Sequence, residues 1–386
     1  MSTAPARHGL RQLHWCFFSP GSRAFSVLSG DTQETGGAEA QIAYLAASFA
    51  ERGHNVSLIY GDGRMRRPPV TVRGVTCFDA AAAWRRPASI AALWRTLQRI
   101  SPHVIYARLP DDFLWMLGAF ARRSGGRFVY ALANDMHCQP GEVYDYKNWF
   151  HGPLYALGLG SADQIIIQHG GQLELASPRL RSRMFHVPNL LLRISPAIRP
   201  FARTSFDAIW VAKIRPVKRL ERFLDLAESL PDLRFAVVGG FDGTMPAGWR
   251  MILERRARGL HNLAYLGARN APDVLSLIAE SSVLVNTSDS EGFPNTMLEA
   301  WGVGVPVVSL SVDPGGLIER ERLGRVSRSF QQLRADVAEL AGSESLNRCY
   351  GERGLTYVRS RHGVETVHAA FMANLRFDEA RLQLSS

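Results

Sequence analysis

The stretch Val283–Trp301 constrains the chain more than any other. It runs from a short apolar segment, Val283–Leu284–Val285–Asn286, through a polar turn into a helical pattern, and it carries two glutamates eight positions apart, Glu291 and Glu299. The apolar segment reads as a buried parallel strand. Pro294 suits the first helical turn, where its missing N–H costs nothing. Glu299 then falls about a turn further along, with its side chain leaning back toward the helix N-terminus, while Glu291 stands in the loop above the strand. Both acids and the amides of Gly292 to Thr296 are therefore expected around one crevice at the carboxyl end of a strand. Open α/β sheets bind ligands there, and helix N-termini hold phosphate.

The rest of the chain repeats this pattern. Strands are expected at Leu13–Phe18, Asn55–Tyr60, His103–Ala107, Arg127–Leu132, Asp163–Gln168 and Met184–Val187, with helices between them. Ser19–Thr35 reads as a long loop, and Gly36–Gly37 opens a helix to about Arg52. Pro188 to Phe206 reads as a linker, after which the alternation restarts. Strands follow at Asp207–Ala212, Leu233–Val238, Leu263–Leu266, Ser282–Asn286 and Pro306–Leu310; from Gln331 only helices are expected. The fold class is thus α/β, with one Rossmann-like doubly wound domain followed by another. The expected divisions are 1–195, 196–360, and a tail, 361–386, packing back on the first domain.

Composition narrows the classes. At 386 residues the chain exceeds the usual single-core limit. No apolar run is long enough to span a bilayer, and the four cysteines show no paired spacing, so a cytoplasmic protein without structural zinc is expected. The net charge of +10 lies mostly in the first half. No nucleic-acid-binding motif accompanies it, which leaves an anionic membrane surface, with peripheral attachment at the inner face, or an arginine bias of composition. Trp84–Arg99 reads as a basic amphipathic helix that packs its apolar face on the sheet. Only three lysines occur, Lys147, Lys213 and Lys218, against 42 arginines. Two of them lie within six residues of each other, which suggests a site wanting compact point charges.

A ligand carrying both hydroxyls and phosphates, such as a nucleotide sugar, suits paired carboxylates beside a phosphate site. The block EGFPNTMLEAWGVGVPVV, with its E-x7-E spacing, resembles the signature of family-4 glycosyltransferases, retaining enzymes of the GT-B fold, in which two such domains face across a cleft. The resemblance implies that Glu299 holds the ribose hydroxyls and that Glu291 lies near the donor sugar. Lys213 and Lys218, in Ala212–Arg219, stand where family members carry G-R-L-x-x-x-K-G and neutralise a diphosphate; lysine replaces the usual arginine. Gly36–Gly37 and Gly239 resemble family turns lining the donor, beside Gly292, Phe293, Asn295 and Thr296. His137 matches a histidine that reaches the donor sugar, with Asp135 as an equal candidate. Such a mechanism implies no cofactor and no metal, and no D-x-D motif follows a strand; Asp111–Asp112 begins a helix instead.

The expected function is transfer of a sugar from a nucleotide-diphosphate donor to a saccharide or lipid-linked acceptor in polysaccharide or glycoconjugate biosynthesis. Two alternatives share the fold: a sugar-nucleotide epimerase or hydrolase, and a catalytically silent binding subunit.

Overall fold

A computed structural model describes residues 12–31, 36–61, 68–83, 87–139, 151–196, 204–243 and 245–375. The first sheet contains β1 (His14–Phe18), β2 (Asn55–Tyr60), β3 (Val70–Val72), β4 (Val75–Asp79), β5 (Val104–Ala107), β6 (Arg127–Ala131), β7 (Gln164–Ile167) and β8 (Met184–His186). Their order is β3-β4-β2-β1-β5-β6-β7-β8, parallel except for the β3–β4 pair. The second sheet contains β9 (Phe206–Val211), β10 (Phe235–Val238), β11 (Leu263–Gly267), β12 (Ser281–Asn286), β13 (Val307–Ser309) and β14 (Gly324–Val326). It is wholly parallel, ordered β11-β10-β9-β12-β13-β14. Central strands such as Val104–Ala107 and Gln164–Ile167 are buried along their whole length. Helices cover both faces of such sheets, so the strand sequences run continuously apolar rather than alternating.

Among the parallel strands each sheet reverses its order once, between β1 and β5 in the first and between β9 and β12 in the second. These are the switch points at which the loops leaving adjacent strands diverge and open a crevice. The last helix, Val364–Asn374, contributes Val367 and Phe371 to the core of the first sheet, and Phe371 packs edge-on against Trp15 and Phe49. The chain thus ends the second domain and returns to the first.

Several sequence expectations need correction. Ser19–Thr35 is not all loop, because Arg23–Ser29 is helical and buries Ala24, Val27 and Leu28; residues 32–35 lie outside the described region. The two strands β3 and β4 and the short edge strand β14 were not anticipated. The amphipathic helix begins at Pro87, with Trp84–Arg86 outside the described residues, and buries Ala92, Leu93 and Leu97 on the sheet. Pro294 precedes the helix Asn295–Gly302 at its N-cap instead of joining its first turn. The start of the supposed linker is core: Leu190 packs in the first domain and Leu191 in the second. Lys147 lies outside the described residues.

Candidate active-site cleft

The two switch points face each other across a cleft of about 520 Å³. From the first domain it is lined by Gly36 and Gly37 after β1, Arg108 after β5, and Asn134 and His137 after β6. From the second it is lined by Lys213 and Lys218 after β9, Gly239 after β10, and Glu291, Phe293 to Thr296 and Glu299 after β12. The sequence-predicted residues therefore converge, although they come from five strand ends.

Backbone stitching holds the two loops of the second domain together. Thr287, fully buried at the end of β12, accepts the Trp210 indole N–H at 3.0 Å. Its hydroxyl reaches the carbonyls of Lys218 and Arg219 at 2.9 and 3.0 Å. The Asp289 amide donates to the Val217 carbonyl at 2.9 Å. These bonds place the Lys218 ammonium against the Glu291 carboxylate, which also accepts the Ser288 hydroxyl at 2.8 Å. Lys213 is paired as well, with Asp242 at 3.1 Å, and Arg215 reaches the same carboxylate at 2.9 Å. Asp242 was absent from the sequence reading, which had no partner for either cation. An arriving diphosphate would compete with Asp242 and Glu291 for these cations.

Glu299 stands apart, because no described residue donates a hydrogen bond to its carboxyl. Burial raises its pKa to about 7, since a desolvated carboxylate is disfavoured. Tyr44, on the helix Gly37–Glu51, lies near enough to feel its charge. His137 is held neutral: burial, then the nearby Arg108 charge, lowers its pKa to about 4. Its Nδ1 accepts the Ala133 amide at 3.2 Å, so the ring proton resides on Nε2. Asp135 accepts hydrogen bonds from His169 Nε2 and Gln172 Nε2, both at 2.9 Å, and so braces its own loop.

Two glycines are required by close approach. A Cβ on Gly292 would strike the Gln168 side chain and lie 2.8 Å from the Ala133 carbonyl and 2.9 Å from Asn134 Cα. The motif loop therefore docks on the first domain at this point. Gly239 has φ +150° and faces the Ala212 carbonyl, which leaves no room for a side chain. Asn295 lines the cleft and also bridges the domains. Its Nδ2 donates to the Gly37 carbonyl at 2.8 Å, and its Oδ1 accepts from Asn189 at 3.1 Å and Gln41 at 3.4 Å, so it clasps the two domains. Phe293 is largely core, packed on Trp301 and His362. Thr296 and the amides of the helix start remain at the cleft.

Arg108 is the residue that sequence reading missed. It directly follows β5, and an arginine ending an apolar strand was the available signal. Among the described residues, no group of three or more histidines, cysteines or carboxylates is disposed to hold a metal ion.

Residues 36–190 match the glycosyl transferase 4-like domain, and residues 205–341 match the glycosyl transferases group 1 domain, which together take in most of the chain. D-inositol 3-phosphate glycosyltransferase of Mycobacterium avium is 30% identical over 111 residues, or 28% of this chain and 26% of that protein. The chain spans only 19% and 26% of the lengths of the curated relatives it matches. Sucrose-phosphate synthase of Thermosynechococcus elongatus superposes with a TM-score of 0.73 at 14% identity, covering 97% of this chain and 100% of that one. Anabaena HepE, solved in complex with UDP and glucose, gives 0.67 at 14% identity, covering 94% and 100%. With two parallel-sheet domains, a switch-point cleft and both domain models matched, the chain belongs to the family-4 type of glycosyltransferases with the GT-B fold.

Proposed function

We propose that the chain transfers a sugar, with retention of anomeric configuration, from a nucleotide-diphosphate sugar to a saccharide or lipid-linked acceptor. The observation that carries this reading is the convergence of Lys213, Lys218, the helix N-terminus at Thr296 and the unpartnered Glu299 carboxyl in one cleft. Cations and free amides suit a diphosphate, and a carboxylate one helical turn away suits ribose hydroxyls. In this reading the bond from the anomeric carbon to the diphosphate oxygen breaks. The acceptor hydroxyl bonds to the same face of that carbon, and its proton passes to the departing diphosphate. Lys213, Lys218 and the amides of Asn295 and Thr296 at the helix start stabilise the charge that collects on the leaving group. Removing one such donor costs about 10²–10³ in turnover in comparable sites. Glu291 holds Lys218 and orients the sugar, while the neutral His137 offers its Nε2–H. No step calls on a divalent cation, so turnover should survive EDTA.

A lipid-linked acceptor at a membrane is supported by the helix Ala247–Gly259. Trp249, Met251 and Ile252 are 46%, 57% and 63% exposed on it, beside the exposed Arg250, Arg255 and Arg258. Exposed aromatic and aliphatic side chains flanked by arginines suit an anionic bilayer surface. No described helix is long and apolar enough to cross a membrane.

Thermal shift with UDP-, GDP- and ADP-sugars, on wild type, Glu299→Ala and Lys218→Ala, tests the donor site. A ligand at about 100 times its Kd stabilises the folded state by roughly 2.7 kcal/mol. One series should stabilise wild type and lose its effect in both variants. If no series binds, the transferase reading fails. Dependence of donor consumption on an added acceptor separates transfer from epimerisation or hydrolysis.

A further inference from the structure

Among the described charged residues that line the cleft, most are held in ion pairs; besides Glu299 and the exposed Arg269, the one left without a pair is the buried cation Arg108. Lys213 and Arg215 share Asp242, Lys218 holds Glu291, and Arg23 lies 3.6 Å from Glu39. Arg108 is only 4% exposed, yet it pairs with no carboxylate among the described residues. Its Nη2 donates to Asn189 Oδ1 at 2.7 Å and its Nη1 reaches the Tyr106 hydroxyl at 3.4 Å, while Nε has no partner. A buried guanidinium without a counter-charge is costly, and the cost falls when an anion completes it.

The surroundings suit a saccharide that brings this anion. Arg108 leaves β5 at the switch point of the first sheet and lines the cleft with Asn134, His137 and Gln168. Gln168 is also buried, and its Oε1 has no partner, so it can accept a sugar hydroxyl. The Gly292 loop, next to Glu291, approaches Gln168 and Asn134 from the other domain. Through Asn189, which bonds both Arg108 and Asn295, the guanidinium is two hydrogen bonds from the interdomain clasp.

We propose that Arg108 is a specificity-determining residue that binds the carboxylate or phosphate of an acidic sugar, so that one of the two substrates is anionic at the saccharide itself. This rests on the transferase reading above. The anion could belong to a uronic-acid donor or to an acidic acceptor, and the two are separated by paired probes that differ in charge. Calorimetry would compare UDP-glucose with UDP-glucuronate and GDP-mannose with GDP-mannuronate. With the matching nucleoside diphosphate present, it would also compare glucose with glucose 6-phosphate. The acidic member of one pair should bind at least tenfold tighter to wild type. That preference should shrink below twofold in Arg108→Gln and be partly kept in Arg108→Lys. A donor pair showing it assigns the anion to the donor, and the glucose pair assigns it to the acceptor. If nucleotide sugars bind but every pair is equal in wild type, the inference is refuted while the transferase reading stands. The wild-type contrast decides this even if the glutamine variant does not fold. If no nucleotide sugar binds, both fall together.

Discussion

Glu299 makes donor binding depend on pH in a direction that the structure fixes. Burial raises its pKa in the ligand-free protein from 4.5 to about 7, whereas ribose hydroxyls are best accepted by the ionised form. Below neutral pH the donor must therefore expel a proton before it binds. With a pKa near 7 the ionised fraction is about 0.76 at pH 7.5 and about 0.03 at pH 5.5, so the Kd should rise roughly 25-fold, or about 1.9 kcal/mol. A nucleotide sugar is the right ligand, because its doubly esterified diphosphate does not titrate in this range. Calorimetry at pH 6.5 in two buffers of different ionisation enthalpy should show net proton release on binding. His137, held near 4, stays neutral throughout. Asp111 also has its pKa raised to about 7, chiefly by burial, but it does not line the cleft, and Glu299→Gln isolates the two. That variant should bind weakly with a flat pH profile. The same shift acts on stability with the opposite sense to the usual carboxylate. Between about pH 4.5 and 7 the unfolded chain ionises Glu299 and the folded one does not, so this group's contribution to stability falls as pH rises, by at most about 3.4 kcal/mol. Glu299→Gln should accordingly raise Tm at pH 8 without ligand. A wild-type affinity unchanged between pH 5.5 and 7.5, with no proton release, would refute the assignment of Glu299 to the ribose.

Three further outcomes follow from the geometry. Glu291→Gln frees Lys218 from its ion pair, so the Kd of the nucleoside diphosphate should improve severalfold by calorimetry while turnover falls. Gly292→Ala forces a Cβ against Ala133 and Asn134, so turnover should drop more than about a hundredfold, as misplacement by an ångström can cost, with an unchanged circular dichroism spectrum. The triple variant Trp249→Ser, Met251→Ser, Ile252→Ser should lose co-sedimentation with vesicles containing anionic lipid yet keep its nucleotide affinity. Equal sedimentation of wild type and variant would show that this helix does not seat on membrane.

What could be read along the chain was whatever local chemistry encodes. Central strands announce themselves because both their faces are buried, and the motif around Glu291 and Glu299 is a strand, a turn and a helix start in consecutive residues. The three-residue strands β3 and β14 are too short to show a period, and the helix Arg23–Ser29 carries no side-chain cap to signal its start. The site itself divides along the same line. Lys213 and Lys218 stand out as rare residues, but their carboxylate partners lie 29 and 73 positions away, and Asn295 meets Gly37 across 258 positions. Arg108 shows the limit most clearly. In a chain with 42 arginines its place at the end of an apolar strand is only a faint signal, and what distinguishes it is that no carboxylate among the described residues pairs with it. Such an absence exists only once the strands have been ordered. Because the two switch points bring loops from both domains to one cleft, the charge balance of that cleft is a property of the assembled fold, and the unmatched guanidinium is where the assembly leaves room for a substrate to complete it.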